Sequence, residues 1–340
     1  MTTLSVRLGA DSYDIRVGRG SADRAAECFD LDRKVLVVTD DGVPPVYAER
    51  VAAGCRDGRI AILPQGEANK TFAGIERLCR VMLTDHFTRG DAVVAVGGGL
   101  VGDMAGFAAA VYMRGIDFYN IPTTVLAQVD SSVGGKTGVN LDGIKNTVGA
   151  LWQPRGVIVD PDLTKTLPPR QIANGLAEAV KMALTFDEAL FARLEKEEPS
   201  AFLDDLILAS LKSKIKVVEQ DEKEAGLRRV LNFGHTIGHG IESLGLGYYH
   251  GECVALGMTA MCSPTVRTRL LPVLKKLGLP TEAAFDREAV LEAVLHDKKA
   301  AGGAVRAITV DRPGHWREEL MDREALRRRI EETFGKGVKP

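Results

Sequence analysis

The chain has 340 residues, enough for about two domains at roughly 150 residues each. Hydrophobic residues make up 45% and charged residues 26%, which excludes a disordered chain. Lys plus Arg is 44 and Asp plus Glu is 46, a net charge of −2; this argues against a large nucleic-acid-binding surface but leaves room for a small basic pocket.

The start, MTTLSVRLGADSYDIRV, alternates polar and apolar residues, so segments 4–8 and 13–17 read as a hairpin. It lacks the basic start and apolar block of a signal peptide. Apolar, β-branched runs follow at 34–40, 59–67, 91–99, 117–124 and 156–161, with helical stretches at 43–55, 70–86 and 102–113 between them. Strand–helix alternation of this kind predicts a parallel sheet, with ligands at the carboxyl ends of its strands. Residues 92–113 are long enough to cross a bilayer, but three consecutive glycines and Asp103 make strand, turn and buried helix the better reading. From about 162 the pattern turns helical: 168–185, 186–196, 199–225, 232–244, 250–262 and 264–277. Segment 282–336 reads as two more helices around one strand at 304–310. The expected organisation is an α/β domain with a parallel sheet over 1–160 and a helical domain over 161–340. Cys28, Cys55, Cys79, Cys253 and Cys262 are odd in number and scattered, which fits buried thiols in a reducing compartment such as the cytoplasm.

Three clusters carry chemistry. In GGGLVGDMAG (97–106), glycines after a strand let backbone N–H groups approach a pyrophosphate, and the next helix adds positive charge at its start. A tight turn with close helix packing would explain the same glycines. In DSSVGGKTGVNLDGIKN (130–146), two lysines in a Gly/Ser loop suit an anion. The third cluster joins GLAEAVKMAL (175–184), LNFGHTIGHGIE (231–242) and HGE (250–252). Glu178 and Lys181 share a helix face, as do His235 and His239. Three of the six histidines fall within 235–250, and one carboxylate with two or three imidazoles suits a divalent metal such as Zn²⁺. Residue types alone leave open which histidine is not a ligand. Arg228 could clamp a carboxylate or serve a salt bridge.

These motifs, with PQGEANK (64–70), IPTTVLAQVDSSVGGKTGVN (121–140), KTLPPRQIANGLAEAVK (165–181), DEKEAGLRRVLNFGHTIGHGIE (221–242), HGECVALGM (250–258) and HDKK (296–299), resemble the 3-dehydroquinate synthases, a family of sugar-phosphate cyclases. The resemblance runs in order over nearly the whole chain. It implies a Rossmann-like NAD domain and a helical metal-binding domain. It implies a divalent ion, Zn²⁺ or Co²⁺, on Glu178, His235 and His250, with His239 set beside the ligands or on the substrate phosphate. NAD would meet Glu67, Lys70, Gly98, Gly99, Leu100, Val101, Gly102, Asp103, Thr123 and Thr124, with Lys136 and Lys145 nearby. Substrate would meet Asp130, Lys136, Asn146, Lys181, Lys214, Arg228, Asn232, His239 and one of Lys298 and Lys299. Arg114 would reach a neighbouring subunit's site, implying a homodimer. The implied reaction converts 3-deoxy-D-arabino-heptulosonate 7-phosphate to 3-dehydroquinate and phosphate with transient reduction of NAD.

Two features depart from the family pattern. Ile144 stands where a glycine usually precedes the lysine, with Gly143 one place earlier, so a rearranged loop is expected there. The stretch between Met258 and Gly278 is also short. Cyclases acting on sedoheptulose 7-phosphate or glucose 6-phosphate, an aminodehydroquinate synthase, and metal-dependent polyol dehydrogenases are the alternatives. Arg228, Asn232 and His239 favour the dehydroquinate type.

Overall fold

The structure is a computed structural model and describes residues 1–296 and 304–335. Lys298 and Lys299 lie outside the described residues. The chain divides into two compact units, Met1–Leu167 with Lys214–Lys223, and Pro168–Ser213 with Glu224–Pro340.

The first unit contains, in chain order, β1 (Thr2–Val6), β2 (Tyr13–Val17), α1 (Ala25–Cys28), β3 (Lys34–Asp40), α2 (Pro45–Ala53), β4 (Asp57–Leu63), α3 (Phe72–Thr84), β5 (Ala92–Gly97), α4 (Gly99–Val111), β6 (Asp117–Pro122), β7 (Lys136–Leu141), β8 (Ile144–Leu151) and β9 (Gly156–Val159). Seven strands form one sheet in the order β1-β2-β9-β6-β5-β3-β4. Only the β1–β2 pair is antiparallel; the other pairs are parallel. Strand β3 shows why the inner strands read as unbroken apolar runs. Leu36 and Val38 face the layer that holds α3 and α4, whereas Val35 and Val37 face the layer that holds α1 and α2. Burial on both faces removes the need for polar alternation. The chain runs from β3 outward to β4, then returns to the far side of β3 as β5 and continues to β6. The order therefore reverses between β3 and β5, and such a point opens a crevice at the strands' carboxyl ends.

Helix α4 begins at Gly99, three residues earlier than the periodicity suggested, so the glycine run spans the end of β5, the N-cap and the first helical residue. Segment 136–151 is not an open loop but a hairpin, β7 with β8, paired Leu141 with Ile144. Asp142 and Gly143 at its tip have φ of 50° and 79°, the two positive angles of a type I′ turn. Asp-Gly is the local signal for that turn, and Ile144 thereby becomes an exposed residue at the start of β8. Residues 127–131 wind as a single π-turn carrying Asp130; such turns are frequent at functional sites.

The second unit holds α5 (Pro169–Phe186), α6 (Glu188–Lys196), α8 (His235–Ser243), α9 (His250–Met261), α10 (Pro264–Lys276), α11 (Arg287–His296), β10 (Val305–Arg312), β11 (His315–Met321) and α12 (Arg323–Phe334). Helix α7 (Leu203–Gln220) is divided between the units at Ser213. The single strand expected at 304–310 has an antiparallel partner, β11, across the turn at Pro313–Gly314. Arg306 and Glu318 decorate its outer face, so its alternation is weaker than that of a two-sided core strand. Helices α5, α8 and α9 approach closely enough to need glycine. A Cβ on Gly257 would lie 1.9 Å from the Gly234 carbonyl oxygen, and one on Gly251 would lie 1.9 Å from that of Asn174. No helix among the described residues is long and apolar enough to cross a membrane.

A candidate metal centre and a glycine cradle

Three helix positions converge in the second unit. Glu178 lies mid-way along α5, while His235 and His250 are the first residues of α8 and α9. Gly234, at φ 78°, gives the sharp turn that starts α8 against α9. The Glu178 carboxylate is almost wholly buried, and its two oxygens face different groups. Oε2 lies 2.5 Å from Lys181 Nζ, while Oε1 lies 3.5 Å from both His235 Nε2 and His250 Nε2. His239 joins them: ligand atoms of the three histidines lie within 4.8 Å of one another, though His239 itself is exposed.

Each inner histidine is oriented through its other nitrogen. His235 Nδ1 lies 3.1 Å from the Phe233 carbonyl oxygen, which can only accept, so Nδ1 carries the proton and Nε2 offers a lone pair. His250 Nδ1 lies 3.2 Å from Glu242 Oε2, so its Nδ1 carries a proton there too. Electrostatics separate the pair. Burial pushes His235 down to about 3, against the pull of Glu178, so it is neutral at ordinary pH. Burial opposes charge on His250 too, but the hydrogen bonds it donates to the Glu178 and Glu242 carboxylates outweigh it and push it up to about 9. Burial would raise Glu178, yet Lys181 and the histidines hold it well below the usual carboxylate range.

Donors on one ion at about 2.0–2.2 Å in tetrahedral geometry stand roughly 3.3–3.6 Å apart, so the 3.5 Å separations fit a divalent ion. Two imidazoles and a carboxylate suit Zn²⁺ or Co²⁺ and leave positions open for oxygen ligands. Two other expected residues, Arg228 and Asn232, lie on the short 3₁₀ turn 227–232 just before α8. Arg228 is buried, and Asn232 donates to Glu224 Oε1 at 3.2 Å.

The first unit gathers a second set. A Cβ on Gly98 would stand 3.0 Å from Thr124 Cγ2, and one on Gly99 would stand 3.2 Å from Ser131 Oγ. Thr123 N–H donates to Gly97 O at 2.9 Å, fixing the ends of β5 and β6 beside the start of α4. This cradle at a 13-residue helix's N-terminus, beside the reversal of strand order, fits a dinucleotide pyrophosphate. Lys70 is buried and donates to Asp103 Oδ2 at 2.5 Å and to Asn146 Oδ1. Burial raises the Asp103 carboxyl, and Lys70 offsets part of that rise. Lys214 donates to Asp130. Lys136 opens β7, Lys145 lies on β8, and both are exposed, as is Arg114 on a turn where Met113, Arg114 and Gly115 all have positive φ.

Sequence reasoning missed four residues. Asn140 donates to Glu67 Oε1 at 2.8 Å and accepts from Asn146 N–H at 2.9 Å, so it ties two expected positions together. Glu242 orients His250. Arg170 and Asn174 hold the start of α9, and their signal was present: 170, 174 and 178 are spaced by four, a polar stripe along one face of the helix.

Among solved structures, this architecture is that of the sugar-phosphate cyclases. A 2-deoxy-scyllo-inosose synthase complexed with carbaglucose-6-phosphate, NAD⁺ and Co²⁺ is 26% identical, with a TM-score of 0.87, over 98% of this chain and 100% of that one. The 2-epi-5-epi-valiolone synthase of Streptomyces hygroscopicus, bound to NAD⁺ and Zn²⁺, is 25% identical, with a TM-score of 0.85, over 94% of this chain and 96% of that one. Family models for the 3-dehydroquinate synthase N-terminal and C-terminal regions match residues 60–174 and 175–300. The 3-dehydroquinate synthase of Geobacter metallireducens is 45% identical over 328 residues, 88% of this chain and 90% of that relative. The chain belongs to the 3-dehydroquinate synthase family.

Proposed function

We propose that this chain catalyses the reaction of its family, conversion of 3-deoxy-D-arabino-heptulosonate 7-phosphate to 3-dehydroquinate and inorganic phosphate. The observation that carries the reading is the convergence of Glu178, His235 and His250 in a chain 45% identical to a 3-dehydroquinate synthase. Formally this is a carbon–oxygen lyase reaction acting on a phosphate. When bound, a divalent metal supplies a Lewis acid and NAD supplies a hydride acceptor that is restored within the turnover.

The chain's own residues do the rest. Glu178, His235 and His250 would hold the metal, and Lys181 keeps Glu178 ionised at neutral pH. The cradle Gly98–Asp103 with Thr123 and Thr124 would hold the dinucleotide phosphates, with Glu67, Lys70 and Lys145 around it. Arg228 is a fixed cation whose guanidinium offers a carboxylate two parallel donors, which suits a keto acid. Lys136, Asn146, Lys181, Asn232 and His239 would take the phosphate and hydroxyl groups as point charges and hydrogen-bond partners. Asp130, paired with Lys214, holds an acceptor in the π-turn. Arg114 would serve a neighbouring copy in a homodimer. All five cysteines are free thiols, which suits work in the cytoplasm.

The test follows phosphate release from 3-deoxy-D-arabino-heptulosonate 7-phosphate with catalytic NAD while NADH absorbance is recorded. Release that stops on chelation, without NADH build-up, is the expected result. Silence with this substrate, but turnover of sedoheptulose 7-phosphate or the amino analogue, would move the chain within the cyclases. NADH accumulating with simple polyols would overturn the reading.

A further inference from the structure

The stripe on α5 meets the first turn of α9 rung by rung. Arg170 Nε and Nη2 reach the two carboxylate oxygens of Glu252 at 2.7 Å each, and Nη2 also reaches Gly247 O at 2.8 Å. Its guanidinium carbon lies 4.1 Å from the Tyr249 ring centroid. One turn on, Asn174 Oδ1 accepts the Gly251 N–H at 2.6 Å. One turn further, Glu178 Oε1 stands 3.5 Å from His250 Nε2.

The first N–H groups of a helix have no partner within the helix, and the preceding residue usually caps one with a short polar side chain. Tyr249 is not such a residue. The cap at Gly251 comes instead from Asn174, 77 residues away on α5. Glu252, clamped by Arg170, accepts the Tyr249 N–H at 2.7 Å. The start of α9 is therefore tied to the helix that carries Glu178. Its first residue, His250, cannot slide or rotate relative to Glu178 without breaking these bonds. The absent Cβ at Gly251 lets the two backbones touch there, so the depth of the turn is fixed as well.

We propose that Asn174 and Arg170 are positioning residues for His250, setting the affinity of the metal site without touching the ion. The proposal rests on the reading of His250 as a ligand. The test titrates metal-free full-length chain with Co²⁺, following ligand-field absorption, for wild type, Asn174→Ala, Asn174→Asp, Arg170→Ala and His250→Ala. Second contacts of this kind are worth about 10–100-fold in metal affinity. Asn174→Ala is expected to weaken Co²⁺ binding by about that factor with an unchanged far-ultraviolet spectrum, and Asn174→Asp, which keeps the acceptor, to recover most of it. At saturating Co²⁺, kcat of Asn174→Ala should return to within a few-fold of wild type. Arg170 is half exposed, so Arg170→Ala supplies the same comparison should Asn174→Ala fold poorly. Affinity within twofold of wild type in both alanine variants, while His250→Ala loses binding, overturns the positioning role alone. Equal binding by wild type and His250→Ala overturns the ligand reading itself.

Discussion

The helical cluster around Glu178 and the hairpin at 136–151 both gather charged residues, yet they are built on opposite principles. In the cluster, Glu178 and Lys181 are almost without solvent contact, and partners from two other helices surround the carboxylate. In the hairpin, Lys136 and Lys145 are exposed, and geometry is held by backbone pairing and an Asp-Gly turn. A buried charge survives only with its partners in place, so the cluster is assembled before any ligand arrives. A surface lysine costs little to place and contributes little until an anion comes.

That contrast can be broken at several points. The largest effect is expected from Lys181→Met in the metal-free protein, which leaves Glu178 buried without its cation; chemical denaturation should show a loss of about 3–5 kcal/mol, partly restored by Zn²⁺. His235→Ala should lower bound metal and kcat together, the latter by on the order of 10²–10³-fold; stoichiometric metal with full activity would refute the ligand assignment. Arg228→Lys keeps the charge and loses the fork, so KM for the keto acid should rise about tenfold with little change in kcat, and an unchanged KM argues against the clamp.

A pH series sharpens the comparison further. With His250 at about 9, metal uptake at pH 7 must displace close to one proton, which calorimetry in two buffers of different ionisation enthalpy would count. Affinity should climb about tenfold per pH unit until pH passes 9. In metal-free protein, the raised value stabilises the fold fully below the ordinary 6.5, and that contribution is lost as pH rises through about 9. His235 acts in reverse: its contribution is present above 6.5 and is lost as pH falls towards 3. The smallest effect belongs to the hairpin. Gly143→Ala, at φ 79°, should cost about 1 kcal/mol and leave metal affinity unchanged.

Much of this was legible in the sequence, for physical reasons that differ by element. Strands β3, β5 and β9 announce themselves because burial on both faces demands unbroken apolar runs. Helices α5 and α9 announce themselves by period and, for α5, by Pro169 in its first turn. The hairpin resembles a loop in sequence because Gly138 and Gly149 are needed where its strands nearly touch, and glycine dilutes strand alternation. The His-x-x-x-His spacing was ambiguous in itself: His235 and His239 share a helix face, but only long-range packing shows that His235 and His250 both face Glu178. Glu242 was invisible as a site residue because it acts through another helix, on His250, whereas Asn174 showed only as one position of the stripe 170, 174 and 178.

The division of α7 at Ser213 has a consequence for synthesis on the ribosome. Asp130 is paired by Lys214, Gln153 by Glu222, and the Arg7 N–H by Glu219, all within the first unit. These partners are translated after 46 residues, 168–213, that belong to the second unit. The nascent first unit must therefore wait for its last segment, at roughly 5–20 residues per second, with Asp130 still lacking Lys214. Nor does any single cut release either unit whole, because the chain passes between them three times, after Leu167, Ser213 and Lys223.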